Sequence, residues 1–175
     1  MPKKRINDPL DIMGVAYETM LERSAREFHK LEEKSAPALH RLIDKARAKA
    51  VELEELSEEE GAQLAEYLKR DLADANFYLS EKGKEFRDWL GFEDSLLAAE
   101  LLDMFLQAAD PSIVEMHELE LKLAAESVYK TGEVTGPGTL VCDACGEVLH
   151  FHKAGRIPPC AKCHETLFHR PGRND

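Results

Sequence analysis

Four cysteines carry the clearest chemistry in this chain. Cys142-Asp143-Ala144-Cys145 and Cys160-Ala161-Lys162-Cys163 spell C-x2-C, then fourteen residues, then C-x2-C. A gap of two residues lets both thiolates of one knuckle reach a single ion, and two knuckles supply the four soft ligands that zinc accepts in a tetrahedron. Four cysteine ligands leave no open coordination position, so the expected Zn2+, one per chain, is structural and not catalytic. Disulfides would need an oxidising compartment that nothing in the sequence suggests. A redox-active C-x-x-C would sit at a helix start in a thioredoxin-like unit, and the chain has no such unit.

The other candidates carry weaker signals. His117-Glu118 opens like the H-E-x-x-H zincin motif, but Leu121 stands where the second ligand belongs. His150 and His152 fall on one side of an expected strand, where a second metal or a phosphate could bind them. Lys153, Arg156, Lys162, Arg170 and Arg173 form a basic set around the cysteines, with Phe151 and Phe168 as possible stacking faces for nucleic acid. No Gly-rich phosphate loop, nucleophile elbow or convincing carboxylate pair is present, so the expectation is a protein without enzymatic activity. Six of the nine residues from Glu52 to Glu60 are glutamate, and Asp88–Leu121 holds nine acids with no Lys or Arg. Such clusters either cover a solvated helix face or offer a docking surface to a basic partner.

Short strands must hold the knuckles: 138–141, 147–152 and 166–169, with a return loop over 153–159. Gly146 follows the first knuckle and His164 stands in the equivalent place after the second, where a left-handed backbone is wanted. Upstream the period is helical. Asp8-Pro9 caps a helix through Met13, Tyr17, Met20, Leu21, Phe28 and Leu31. A further helical run through Leu39, Leu42, Ala46, Ala50 and Leu53 is either continuous with it or separated from it at Ser35-Ala36-Pro37. Ser57 with Glu60 forms a capping box that opens the next helix, whose stripe is Leu64, Leu68, Leu72, Ala75 and Leu79. The short connection between these two helices predicts a long, antiparallel, coiled-coil-like hairpin with its tip near residues 55–60. Helical stretches over Phe86–Leu106 and from Asp110-Pro111 to Val128 complete the body, which is expected to end at Gly132.

Composition agrees with this division. The 175 residues are 43% hydrophobic, 33% charged and only 7% aromatic, a mixture that favours helices. Residues 1–134 hold 30 acidic and 18 basic side chains, whereas residues 135–175 hold 4 and 5 and include every cysteine. The predicted organisation is a mainly α protein with a helical domain over 1–134 and a small β zinc ribbon over 135–175. A net charge of −11 argues against a protein that chiefly coats DNA or an anionic membrane. No run approaches the ~18 apolar residues of a membrane span, and the opening MPKKRINDPLDIMG lacks an apolar signal core, so a cytoplasmic location is expected. The expected partner is a protein with a basic surface. Nucleic acid could bind through the ribbon, and the helices could support self-association.

The run Tyr129-Lys130-Thr131-Gly132-Glu133-Val134, then Gly136-x-Gly138-x-Leu140-Val141-Cys142, the second knuckle and Phe168-x-Arg170 resembles the YbeL-type zinc ribbon-containing proteins of bacteria. That resemblance implies a helical region followed by a zinc ribbon, with no established activity. The family's usual C-P-x-C-G at the second knuckle reads C-A-K-C-H here. At the level of architecture alone, an acidic hairpin with a four-cysteine module also resembles secondary-channel regulators of bacterial RNA polymerase, which implies a possible role in transcription or translation.

Overall fold

The computed structural model describes residues 9–81, 83–114 and 127–171. Helix α1 (Pro9–His29) is followed by α2 (Ala36–Glu52) and α3 (Glu58–Ser80). Pro37 does not kink one long helix. The chain leaves α1 at His29 and starts again at Ser35, whose extended backbone and Oγ cap the Ala38 N–H at 3.3 Å, with the proline in the first turn.

Helix α2 packs against both α1 and α3. Asp44 meets Lys69 at 2.9 Å, and Gly61 lies against Arg47 and Val51, which fixes α2 and α3 as antiparallel neighbours. Their turn is pinned by buried Leu56 and by Arg23 of α1, whose guanidinium donates to both Glu55 carboxylate oxygens at 2.6 and 3.0 Å. Leu53 and Glu54 complete the turn, Glu54 with a left-handed backbone.

The capping box at Ser57 is complete, with Glu60 N–H donating to Ser57 Oγ and Ser57 N–H donating to Glu60 Oε1. The Ser57 N–H holds the Glu60 carboxyl below the usual carboxylate range. Its contribution is therefore present above the ordinary glutamate value of about 4.3 and is lost as pH falls through the lower folded value. Ser57→Ala, which keeps the backbone N–H but removes the Oγ that caps Glu60 N–H, is expected to cost about 1 kcal/mol in urea unfolding at neutral pH.

The stretch expected as one helix over 86–106 is broken. It forms α4 (Phe86–Leu90), a single 3-10 turn (Asp94–Leu96) and α5 (Ala99–Ala109). Gly91 ends α4 in the left-handed conformation, a turn that the apolar period alone does not reveal. Residues 111–113 form a turn, Val114 after them is buried, and the rest of the expected last helix, with His117, lies outside the described residues apart from 127–128. One core joins these helices: Tyr17, Met20, Leu21 and Phe28 of α1, Leu39 and Ile43 of α2, Leu64 and Leu68 of α3, and Trp89 and Phe105 from α4 and α5.

Beyond the helices lies a four-stranded antiparallel sheet, in the order β1 (Tyr129–Lys130), β6 (Leu167–His169), β3 (Gly138–Cys142), β4 (Val148–Phe151). A two-stranded sheet pairs β2 (Val134–Thr135) with β5 (Gly155–Arg156). Gly132 therefore turns between β1 and β2 and does not end a helix. The boundary expected at 134/135 runs through β2, and the ribbon sheet takes its edge strand from residues before that boundary. The two parts are packed closely: a methyl group on Gly14 of α1 would collide with the Ala154 carbonyl beside β5.

Candidate metal centre and its anchorage

Both knuckles fold by the same local rule. In the first, Gly146 N–H donates to Cys142 O at 2.9 Å and Cys142 N–H donates to Glu147 O at 2.8 Å. In the second, His164 N–H donates to Cys160 O at 2.9 Å and Cys160 N–H to Glu165 O at 2.9 Å. Gly146 and His164 have φ of 78° and 64°, so the left-handed backbone expected at these equivalent positions is present, with histidine in place of the more permissive glycine. Strand β3 delivers Cys142, and β6 pairs Phe168 with it across the sheet.

The strands bring the four sulfurs within 4.8 Å of one another. Cys142 Sγ lies 3.5 Å from Cys163 Sγ, and Cys145 Sγ lies 3.6 Å from Cys160 Sγ. Ligands at ~2.3 Å from a tetrahedral zinc are separated by about 3.8 Å, so the cluster fits the ion. The electrostatics point the same way. The Cys163 backbone N–H, then that of Lys162, favours the Cys160 thiolate and lowers its pKa to about 7. At Cys163 the Glu165 N–H also favours the thiolate, but burial and the other three sulfurs push the thiol up to about 12. Clustered thiolates repel one another, and a zinc ion would offset that repulsion while crosslinking the two knuckles.

A family model for a zinc-ribbon containing domain matches residues 26–171. The chain belongs to this family. The uncharacterised protein YbeL of Escherichia coli strain K12 is 31% identical over 128 residues, covering 70% of this chain and 75% of that protein. The YbeL proteins of Escherichia coli O6:H1 and O157:H7 match with the same identity and coverage. No solved structure matches the chain. Membership of the zinc-ribbon family and the clustered thiols together assign one structural Zn2+ site to Cys142, Cys145, Cys160 and Cys163.

Two residues of the expected nucleic-acid surface are elsewhere. Arg170 and Phe168 are each 1% exposed, so neither can meet a ligand in the folded chain. Arg156 donates to Gly132 O at 2.7 Å, and Arg173 lies outside the described residues. Phe168 packs with Tyr129, Leu140, Ile157 and the buried cysteines in the ribbon's own small core.

Arg170 instead enters a buried polar cluster that joins the ribbon to α3. Asp71 accepts from Tyr17 Oη at 2.6 Å, from Gly136 N–H at 2.8 Å and from Arg70 Nε at 3.1 Å, with Arg170 at 3.6 Å. Asp74 accepts from Tyr129 Oη at 2.8 Å and from Trp89 Nε1 at 3.1 Å. The Arg170 guanidinium donates to Thr135 Oγ1 at 2.9 Å and lies over the Trp89 and Tyr129 rings, 4.4 and 4.9 Å from their centroids. Burial opposes its charge, yet the surrounding acidic groups hold Arg170 protonated. Burial, then the neighbouring Asp71 carboxylate, pushes the Tyr17 phenol well above its usual value, so Tyr17 stays a donor. Gly138, with φ of 138°, is required where Arg170 passes, since a methyl group would strike its guanidinium.

The sequence held a signal for this cluster. Asp71 and Asp74 occupy the buried face of α3 beside Leu68, Leu72 and Ala75, where a carboxylate needs partners.

Proposed function

We propose that this protein is a non-enzymatic zinc-ribbon interaction protein that binds a basic surface of a macromolecular partner through the acidic end of the α2–α3 hairpin. The hairpin acts as the contact arm and the ribbon, with residues 135–175 as its core unit, flanks it as a second contact. The observation that carries this is how the tip acids are used. Glu55 is committed to Arg23, and Glu60 is committed to its cap. Glu54, Glu58 and Glu59 are exposed with no ion pair among the described residues, next to Leu53, a leucine 49% exposed. Three unpaired carboxylates around an apolar side chain suit a basic partner that also offers a small apolar contact. A cytoplasmic partner, including one in the transcription or translation machinery, fits this chemistry. None of the helices described is long and apolar enough to cross a membrane.

The variant Glu54→Gln, Glu58→Gln, Glu59→Gln should keep wild-type stability within about 0.5 kcal/mol, because exposed like charges at one end repel each other. In crosslinking from the native cell, the partner recovered on the wild-type chain should be lost on the triple variant and weakened by salt. Full recovery on the variant would show that the tip is only a solvated turn. Ribbon binding to RNA or DNA is the second reading. It would appear as salt-dependent affinity that falls when Lys153 and Lys162 are neutralised.

A further inference from the structure

Where the ribbon borders the helical body it holds a pair of histidines whose surroundings go beyond what a solvated strand requires. His150 lies on β4 directly opposite Thr139 of β3, and His152 follows two residues later, one residue past the end of the strand. Both are exposed. Thr139 Oγ1 donates to the Leu90 carbonyl at the end of α4, 2.5 Å away, and a carbonyl oxygen can only accept. The hydroxyl's single proton is thereby used. The 2.8 Å contact between Thr139 Oγ1 and His150 Nδ1 must then have the imidazole as donor. His150 is held as the Nδ1–H tautomer, which leaves the lone pair on Nε2.

Phe92, one residue past the Gly91 turn, meets both rings edge to face. Its centroid lies 5.8 Å from His150 at 87° and 4.7 Å from His152 at 62°. A single aromatic ring from the helical body thus touches both imidazoles and gathers them around one point. Two residues of chain span at most ~7 Å, a separation that two imidazoles bridge when they share one ion.

We propose that His150 and His152 form a second metal site, an open two-imidazole chelate for a borderline divalent cation of the Ni2+, Cu2+ and Zn2+ class. Imidazole nitrogen selects such cations over Mg2+ or Ca2+. A hydrogen bond from the far ring nitrogen to an oxygen is the usual way in which a ligating histidine is oriented, and Thr139 supplies it. The rest of the coordination is left to water or to a side chain of another molecule, so this site exchanges its ion where the cysteine site does not.

The test uses the full-length, zinc-loaded chain and Ni2+ alone, followed by titration calorimetry with zinc release measured in parallel. One Ni2+ per chain should bind without release of zinc and be displaced by imidazole. His150→Ala and His152→Ala should each weaken binding about tenfold or more, with unchanged zinc content and helical signal, while His164→Asn should leave it as in wild type. Thr139→Val should also weaken it roughly tenfold although both ligands remain, because the tautomer is no longer fixed. Absence of a Ni2+ site beyond the zinc, or binding that survives the double substitution of His150 and His152, would overturn the proposal.

Discussion

Arg170→Met should lower the unfolding free energy by about 3–5 kcal/mol, the usual cost of removing one partner from a buried ionic cluster. The reason lies in what stays behind. Asp71 and Asp74 are both fully buried, and without Arg170 the cation left beside them among the described residues is Arg70. Thr135 Oγ1 also loses its donor, and the faces of Trp89 and Tyr129 lose the guanidinium stacked on them. For a chain of this size the loss corresponds to a fall in Tm of about 6–20 °C. Arg156→Met is the matched control. It removes a cation from the same ribbon but only one largely exposed hydrogen bond, so its cost should stay near 1 kcal/mol or below. Calorimetric melting of the two variants decides the point: equal small losses would mean that the cluster adds nothing to stability. Asp71→Asn should fall on the large side as well, because Tyr17, Gly136 and Arg70 all donate to that one carboxylate.

The cysteine site could be read from sequence because its information is local. Two residues between cysteines, a left-handed position after each pair and strands on either side are all short-range requirements, and Gly146 and His164 meet the second of them. Helix caps are local too, which is why Ser57 and Glu60 identify the start of α3. Pro37 was ambiguous for a physical reason: proline fits the first turn of a new helix as well as it kinks an old one, and Ser35 decides between them only through its backbone angles. The buried cluster was not legible as a cluster, because its members come from α1, α3, α4 and the ribbon and meet only when the chain has folded. In sequence Arg170 belongs to a basic rim, because charged side chains ordinarily lie at the surface. Its burial reverses that role, from a contact for a ligand to a counter-ion for the protein's own carboxylates.

The position of Arg170 also links the metal to the helices. It directly follows β6, seven residues after Cys163, and β6 is held in register by the pairs Val141–His169 and Cys142–Phe168. A further tie runs from His169 Nδ1 to Asp143 inside the first knuckle. Structural zinc in small modules supplies on the order of 10 kcal/mol of folding free energy, so a ribbon core of six buried residues cannot be expected to hold β6 without it. Chelation of the zinc, or Cys163→Ser, should therefore unfold the ribbon and withdraw Arg170 from the body. Most helical circular dichroism should remain at 25 °C, since the helices have their own core, but their melting temperature should fall by an amount similar to that of Arg170→Met. Trp89 is the chain's single tryptophan, with Arg170 stacked on its ring and Nε1 bonded to Asp74, so its fluorescence reports the separation directly. Its emission should change on zinc removal, and Arg170→Met should reproduce that change in protein that retains full zinc. If zinc-free protein keeps both the emission and the helical melting temperature of the wild type, the ribbon and the helices are energetically independent, and the cluster around Asp71 does not carry the state of the cysteine site into the body.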